Sequence, residues 1–332
     1  MATGQENVKK VDDVLNAEPL KKLLPYFVDK IPLYRTAKTI QILLLRQTHD
    51  FTIFRTEDTR ELNLASIPKN KTDATSTLRV AMLASKQKAP ETRWYSTLLK
   101  TLAEDTKYAL SDEPKTCELK DKLCQMCPRC VLFGAVSTAA GRGERYNIKH
   151  RIEYSTAFSI EEYEDIVETI TFNAVNTVNQ STEQALGMTE NIAPVTNFPC
   201  VITLNSVTAY EFIAVLRAIL SCKSYGAETR VKGDMVNNLV GIAAGYEEVI
   251  TSLEFNLEAG KEILEKPLEK TESILNEYKK HAMFPEKVVV LTKDEIRNLG
   301  EEILPHIAMN MDFVSKLYKS AEEYHNELAM WK

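Results

Sequence analysis

Four of the six cysteines lie within fourteen residues, in the segment CELKDKLCQMCPRC, and this cluster limits the fold more than any other feature of the chain. Cys124, Cys127 and Cys130 have the spacing C-x2-C-x2-C, which brings three sulfur atoms within reach of one ion. Cys117 can supply a fourth sulfur from the preceding loop. Four thiolates with no open coordination position are typical of a structural zinc site. The sequence therefore predicts one structural zinc ion bound by these four cysteines.

Two alternatives to zinc stay open. Bacterial ferredoxins bind iron–sulfur clusters with a C-x2-C-x2-C run, but the fourth Cys followed by Pro that completes their run is missing here. Free buried thiols are the second alternative, and the isolated Cys200 and Cys222 are interpreted in this way.

The first twenty residues have no apolar core typical of a secretory signal. Clustered cysteines without such a signal favour a reducing compartment, so we expect a cytoplasmic protein.

Composition excludes a transmembrane helix but leaves the partner open. The 332 residues are 44% hydrophobic and 27% charged, and no apolar run approaches the length of a membrane span. The net charge of −6 is concentrated in residues 246–332, which hold 11 basic and 18 acidic side chains. The rest of the chain is close to neutral, so local basic patches can still form there and bind nucleic acid.

The hydrophobic pattern predicts an alternation of strands and helices. Strands are predicted at residues 39–47, 51–55, 149–158, 166–175, 200–206 and 236–245, and the second is expected to pair with the first across a turn. Helices are predicted from Pro90 onward and at residues 209–221, 258–280, 293–300 and 312–329. Residues 66–90 and 176–199 are interpreted as loops. This order is close to the β-α-β-β-α-β ferredoxin-like pattern, so we expect an α+β fold with two insertions.

Three groups of cations are candidates for contacts to phosphate oxygens, because Arg and Lys on flexible loops make charge-assisted hydrogen bonds to them. In chain order they are Arg46, Arg55 and Arg60 around the first predicted hairpin, Arg142, Arg145, Lys149 and Arg151 after the cysteines, and Arg230 and Lys232 in a glycine-bounded turn. Each group also has an ordinary explanation as a strand-end charge, a solvated loop or a helix-to-strand connection.

Catalytic motifs are weak throughout the sequence. The five histidines form no H-x-x-x-H or H-E-x-x-H pair, and no G-x-S-x-G nucleophile motif or nucleotide-binding glycine motif occurs. His49 and Asp50 are the one pair that suits acid–base chemistry, although capping of a turn is the commoner role for such an Asp. The sequence therefore assigns no catalytic residue and does not demand an enzyme.

Three segments of the chain resemble a known family. CPRCVLFGA (127–135), NIKHRIEYSTAFSI (147–160) and GAETRVKGDMVNN (226–238) resemble the backbone subunit of type I-D CRISPR Cascade complexes, a member of the RAMP superfamily. The resemblance implies a modified ferredoxin-like or RRM-like palm with insertions and a mainly helical C-terminal region. The implied divisions are the palm at 36–245, a zinc-binding insertion at 106–146, a thumb loop at 176–199 and the helical region at 246–332.

The resemblance also implies partners and a mode of binding. Copies of the chain would stack along a CRISPR guide RNA, beside other Cascade subunits, and support its pairing with a target DNA or RNA strand. Contacts to the RNA would come from residues 142–151 and 226–233, with Met188 of the thumb lying against the RNA path. No aromatic-rich RNP strand is present, so base stacking on the sheet is not the expected mode.

Two other functions are open at the level of sequence. Related type III backbone proteins cleave target RNA with a loop Asp, and Asp50, Asp58 and Asp73 are candidates here for a weak endoribonuclease activity. A zinc-dependent nucleic-acid-binding regulator would instead need a polar recognition helix beside the cysteines. The residues that follow Cys130, VLFGAVSTAAG, are apolar and bounded by glycine, and they lack base-reading side chains.

Overall fold

The described part of the chain folds into α-helices and antiparallel sheets, which confirms the predicted α+β class. The structure is a computed structural model that describes residues 9–54, 61–118, 122–136, 147–175, 182–226 and 232–330. For residues 171–175 and 182–187 it describes the backbone alone.

The strands of the described residues form a main sheet, a small second sheet and a separate hairpin. They are β1 (Thr39–Thr48), β2 (Leu64–Pro68), β3 (Ser76–Met82), β4 (Ile152–Tyr154), β5 (Ala157–Phe158), β6 (Val167–Val175), β7 (Thr182–Ile192), β8 (Asn197–Asn205), β9 (Met235–Gly245) and β10 (Val289–Val290). The main sheet has the order β10-β9-β1-β8-β4, the second sheet has the order β2-β3-β5, and β6 pairs with β7.

The helices are short except for α3, α7, α9 and α11. They are α1 (Val11–Leu15), α2 (Leu20–Leu23), α3 (Ala84–Asp105), α4 (Asp112–Lys115), α5 (Pro128–Phe133), α6 (Tyr163–Ile166), α7 (Ala209–Ser221), α8 (Ser252–Ala259), α9 (Pro267–His281), α10 (Lys293–Arg297) and α11 (Met311–Met330). A π-helical turn, Asn298–Ile303, follows α10, and short 3-10 turns lie at Leu24–Tyr26, Lys261–Leu264, Pro285–Lys287 and Leu304–His306.

Strand β1 lies at the centre of the main sheet because both of its faces are apolar. Ile40, Ile42 and Leu44 belong to the larger core cluster, which includes residues of α3 and α7. Leu43 and Leu45 belong to a second cluster, formed with residues of α8 and α9. Helices therefore cover both faces of the main sheet, and the open sheet face on which RRM domains stack bases is covered here.

Helix α9 approaches the sheet closely at Gly241 of β9. A Cβ atom at this position would lie 2.6 Å from Cγ2 of Thr271 and 3.1 Å from Cδ1 of Leu275. The missing side chain thus lets α9 pack against the strand, since distances under about 3 Å are not found between real side chains. Helix α11 adds to the helical layer on the opposite face of the sheet from α9, where it packs against α3, α5 and α7.

Several elements match the sequence-based prediction closely. Strands β1, β6, β8 and β9 lie where apolar or alternating runs predict them, and α7 spans the predicted residues 209–221. Helix α7 begins where it does because Thr208 and Glu211 form a capping box, in which each side chain accepts from the other's backbone N–H.

The predicted pairing of residues 51–55 with β1 is wrong. Strand β1 pairs with β8 on one side and with β9 on the other, so no edge of it remains for a local hairpin. Thr52 instead makes an isolated bridge to Ile192 at the end of β7. Thr52, Ile53 and Phe54 are all buried, so this segment packs into the core without pairing with β1.

The two predicted loops also contain secondary structure. Residues 66–90 include most of β2, all of β3 and the start of α3, which begins six residues before Pro90 and continues through it. Residues 176–199 include β7, which pairs with β6 from Val167↔Ile192 to Val175↔Thr182. Strand β7 is rich in polar residues and forms no part of the main sheet, so its hydrophobic pattern is weak.

Arg46 is buried in the core, which corrects its assignment as a candidate RNA contact. Its Nη1 atom lies 2.6 Å from Oε1 of Glu91 on α3, and both side chains are 0% exposed. The same nitrogen donates to Oδ1 of Asn237 at 2.7 Å. The hydroxyls of Tyr154 and Tyr225 donate to the Glu91 carboxylate at 2.6 and 2.7 Å. We call these five residues the Arg46 cluster, and it joins β1, α3, β4 and β9 through one buried ion pair.

We expect Glu91→Gln to destabilise the fold by about 3–5 kcal/mol, because the variant leaves the Arg46 charge buried without a counter-charge. Urea unfolding followed by circular dichroism measures this change. The matched control is Glu277→Gln, since Glu277 pairs with Lys280 on the exposed surface of α9. The role assigned to the Arg46 cluster is wrong if the two variants unfold at the same urea concentration.

Candidate metal centre and nucleic-acid interface

The four clustered cysteines converge in space, as the sequence predicts. Sγ of Cys117 lies 3.5 Å from Sγ of Cys130 and 3.8 Å from Sγ of Cys127, and Sγ of Cys124 lies 4.0 Å from that of Cys130. All four sulfur atoms lie within 4.8 Å of one another. Cys117, Cys127 and Cys130 are buried, and Cys124 is half-buried.

The local backbone explains how the sulfur atoms meet. Cys127 is the N-cap of α5, and Pro128 occupies the first position of that helix, where its missing N–H leaves no hydrogen bond unmade. Cys130 is therefore one turn into α5, on the same side as Cys127. The backbone N–H of Cys124 points to Sγ of Cys117 at 3.4 Å, which closes the loop between α4 and α5.

The separations fit a tetrahedral site for one metal ion. With metal–sulfur distances near 2.3 Å, the sulfur atoms of a regular tetrahedron are about 3.8 Å apart, close to the distances found here. Hydrogen bonds from Cys124, Cys127 and Cys130 lower the pKa of the Cys117 thiol. Further buried thiolates would repel one another strongly unless a cation compensated them, so this donor set suits a metal ion.

The cysteine cluster packs into the main core. Val131, Leu132 and Phe133 follow Cys130 in α5 and are buried in the larger core cluster. The ring of Phe133 lies 5.2 Å from that of Tyr95 on α3. Helix α11 packs against α5, and burial together with the nearby cysteines raises the pKa of Tyr318 on that helix. Loss of the metal ion should thus affect the whole fold.

Helix α5 also positions the basic loop that follows it. Ala135 and Ile148 form a bridge that closes the base of this loop, with hydrogen bonds of 2.8 and 3.0 Å between their backbones. The N–H of Arg151 donates to the carbonyl of Leu132 in α5 at 2.8 Å. Helix α5 and the bridge thus hold both ends of the loop, and residues 137–146 between them lie outside the described residues.

Cations gather beside the base of this loop, on a surface that we call the α3–α5 basic surface. Its members are Lys88, Arg129, Lys149 and His150. Burial, and then the nearby charge of Arg129, lowers the pKa of Lys88. Burial and the charge of Lys88 likewise lower the pKa of His150. Burial is the larger cause of both shifts, and their second cause is positive charges held close together, an arrangement that attracts phosphate groups.

Few acidic groups offset this positive charge. Glu153 is the acid that faces it, and its carboxylate is already paired with Arg35 at 2.7 Å. His150 lies 3.9 Å from the same carboxylate. Within the described residues, the Nζ atoms of Lys88 and Lys149 have no ion-pair or hydrogen-bond partner. Both ammonium groups can therefore donate to a ligand.

The remaining predicted RNA contacts fall into three groups. Arg151 is buried and pairs with both carboxylate oxygens of Glu211, so we exclude it from the contact surface together with Arg46. Met188 on β7 is 57% exposed, and Lys232 is exposed and paired with Asp234 at 2.5 Å. The others lie outside the described residues and are Arg55, Arg60, Arg142, Arg145 and Arg230.

The carboxylates considered for catalysis have structural partners. Oδ1 of Asp50 accepts from the N–H of Phe51 at 2.8 Å, and Oδ1 of Asp73 accepts from the N–H of Thr75 at 3.0 Å. Nε2 of His49 lies 3.1 Å from Oε1 of Gln47, so the ring pairs with this side chain and not with the Asp50 carboxylate. Asp58 lies outside the described residues. These contacts are those of residues that stabilise turns.

Sequence reasoning missed Lys88, which lies in the segment interpreted as a loop. The sequence predicts a helix that starts at Pro90, whereas α3 begins at Ala84. The alternative signal was the helical spacing of the buried Gln87, Glu91, Tyr95 and Leu99. This spacing extends the helix back across Pro90 and places Lys88 beside its buried face.

None of the helices in the described ranges is both long and apolar enough to cross a membrane.

Comparison with solved structures identifies the class of fold. The crystal structure of Thermofilum pendens Csc2 matches with a TM-score of 0.67 and 18% sequence identity, over 96% of this chain and 97% of that chain. A chain from a CRISPR RNA-guided surveillance complex matches with a TM-score of 0.47 and 10% identity, over 85% of this chain and 99% of that one. A chain from such a complex in a pre-nicking state matches with a TM-score of 0.46 and 10% identity, over 85% and 100%. The first likeness shows a shared fold.

The family follows from the sequence itself. The profile of the Csc2 Crispr family matches residues 26–328, nearly the whole chain. The protein therefore belongs to the Csc2 CRISPR family. A search of curated proteins found no match.

We expect purified protein to contain about one metal ion per chain, and Cys127→Ser to lose it and to lower the midpoint of thermal unfolding for the whole chain. The reason is that the binding energy of a closed thiolate site is also folding energy, and α5 is part of the core. Elemental analysis and calorimetry measure both effects. Cys222→Ser is the control, since this buried thiol lies outside the cluster. Full metal content in Cys127→Ser would contradict the assignment.

Proposed function

We propose that this protein is a guide-RNA-binding backbone subunit of a CRISPR surveillance complex, of the type I-D Cascade kind. Membership of the Csc2 CRISPR family is the observation that carries this proposal. The α3–α5 basic surface supports it independently, since its cations, of which Lys88 and Lys149 have no ion-pair partner among the described residues, suit the phosphates of an RNA backbone. The complex acts in the cytoplasm, and we assign no catalytic residue to the chain; a weak endoribonuclease activity on target RNA is the alternative that the cleavage test below addresses.

The palm of this subunit consists of β1, α3, β4, β8, α7 and β9. Their chain order is β-α-β-β-α-β and their strands lie in the order β9-β1-β8-β4, which supports a modified ferredoxin-like or RRM-like palm. Because α8 and α9 cover the sheet face opposite α3 and α7, RNA binds at the loops beside the helices. The protein positions the RNA backbone, while base pairing between guide and target supplies sequence recognition.

Zinc is the metal that we assign to the four cysteines. Its usual structural sites have four thiolate or imidazole ligands in a tetrahedron and no open position. Zinc has no redox chemistry. Bound to the four cysteines, it would fix the positions of α5 and of the base of the basic loop. Elemental analysis separates the candidates, because an iron–sulfur cluster would give iron and acid-labile sulfide in place of zinc.

The hairpin β6–β7 takes the role of the thumb. Its strands pair with each other. Contacts to the rest of the fold near the base of the hairpin include the bridge from Ile192 to Thr52 and the Glu190 carboxylate, which accepts from the N–H of Leu62 at 2.9 Å. Met188 is exposed on β7, opposite Thr171 in the pairing register. A hairpin that is anchored only at its base can reach a neighbouring copy, and an exposed Met suits contact with a base or an apolar partner. The partners are thus guide RNA, the target strand, further copies of the chain and other Cascade subunits.

We expect binding to single-stranded RNA to weaken steeply with salt and to depend little on sequence, because the contacts are to phosphates. Replacing Lys88 and Lys149 together by Ala should reduce the slope of log affinity against log salt by about 1.4, at about 0.7 for each lost phosphate contact. Fluorescence anisotropy with labelled RNA measures the slope between low and physiological salt.

The control for this experiment removes two exposed lysines near the end of α9, by Lys280→Ala with Lys287→Ala. It changes the net charge equally and should leave the slope unchanged. Equal slopes in wild type and the Lys88, Lys149 variant would exclude the α3–α5 basic surface. Cleavage of the labelled RNA in metal-containing buffer would contradict the absence of a catalytic role.

A further inference from the structure

A groove separate from the α3–α5 basic surface lies between α3 and the segment that follows α7. It has a volume of about 360 Å³. Its lining combines one aromatic ring with three cations, namely Trp94, Arg93, Lys223 and Lys232, and the neutral side chains around them include Ser221. No acidic side chain of the described residues lines it. We call this site the Trp94 groove.

The ring of Trp94 is fixed in place and still accessible. Its Nε1 atom donates to Oγ of Ser221 at 2.8 Å. Ser221 in turn donates to the carbonyl oxygen of Arg217 at 2.6 Å, which orients the hydroxyl to accept from the indole. The residue remains 39% exposed. A rigid ring with an exposed area can stack on a flat ligand without a large loss of side-chain entropy.

The cations of the groove are available for a ligand. The side chains of Arg93 and Lys223 are exposed, and neither has an ion-pair or hydrogen-bond partner within the described residues. Lys232 pairs with Asp234, but its side chain is 62% exposed. Two of the three cations thus lack a counter-charge, and their positive potential attracts an anion.

The position of Lys232 is set by the backbone of its neighbour Gly233. This glycine has a φ of +65°, and a Cβ atom here would lie 1.6 Å from the carbonyl oxygen of Tyr225. The N–H of Tyr225 donates to the carbonyl of Gly233 at 2.9 Å, and Oγ of Ser224 donates to that of Lys232 at 3.1 Å. These bonds close the base of the loop and hold Lys223 and Lys232 on the same groove.

We propose that the Trp94 groove binds one unpaired nucleotide of a single-stranded nucleic acid, with the base stacked on Trp94 and the adjacent phosphates at Arg93 and Lys223. An acidic peptide would satisfy the cations but would leave the ring unused, whereas a nucleotide uses both. The proposal rests on the proposed function and adds a contact by base stacking to the phosphate contacts. Lys88 and Arg93 lie on different sides of α3, so the two sites are distinct.

The test uses the full chain and two twelve-nucleotide ligands, oligouridine and an abasic ribose-phosphate oligomer of the same length. Trp94→Ala should weaken oligouridine binding about tenfold, since stacking on an aromatic ring accounts for roughly 5- to 150-fold per base. It should leave abasic binding and the salt slope unchanged. Trp94→Phe should retain most of the affinity, because it keeps a ring.

Fluorescence gives a second readout. The chain has one other tryptophan, Trp331, so in a Trp331→Phe background oligouridine should quench the fluorescence of Trp94.

Each other outcome is decisive. If Trp94→Ala weakens both ligands equally, or leaves oligouridine binding unchanged while wild type binds, the groove is not a stacking site and the proposed function still stands. If an acidic peptide competes at the groove while oligouridine does not quench Trp94, the partner is a protein and the proposal is wrong. If wild type binds neither ligand, the proposed function itself fails.

Discussion

Arg46 and Glu91 bring opposite charges together at 2.6 Å inside the core, between the central strand and the helix that packs on it. Their partners are Tyr154 on β4, Tyr225 in the segment after α7, and Asn237 on β9. The ion pair therefore sets how α3 is positioned on the sheet. Removing one charge leaves the other buried and unpaired, which is more costly than replacing both. The α3–α5 basic surface and the Trp94 groove lie on either side of α3 and both depend on its position.

The cysteine cluster adds a second constraint, which acts on the loops. Because Cys127 and Cys130 begin α5, and α5 leads directly to the bridge between Ala135 and Ile148, a metal ion bound there fixes the base of the basic loop. Cys117, Cys127 and Cys130 belong to the larger core cluster and α11 packs against α5, so an ion bound there would lie inside the core. A protein that contacts RNA through phosphates needs loops held at fixed positions more than it needs base-specific side chains.

The sequence predicts the parts of this structure that burial determines and misses those that it does not. Strand β1 and α7 are predicted almost to the residue, since one is apolar on both faces and the other has a capping box. Strand β7 is rich in polar residues, and β2 is a short edge strand in which only Ile67 is buried, so neither leaves a clear pattern. At the site, cysteine spacing alone predicts the metal centre. The assignment of Arg46 to the RNA contacts is wrong because the sequence does not distinguish a charge at the surface from one that pairs inside the core with Glu91, 45 positions away.

The central claim is that many copies of this chain assemble along one guide RNA. Mass photometry of the protein with guide RNAs of two lengths tests it most directly. The number of copies per RNA should rise in proportion to RNA length, and a variant in which a short Gly-Ser turn replaces residues 172–187 of the hairpin should remain at isolated copies. A number of bound copies that is the same on both RNAs, or equal assembly by wild type and the hairpin variant, would contradict the claim.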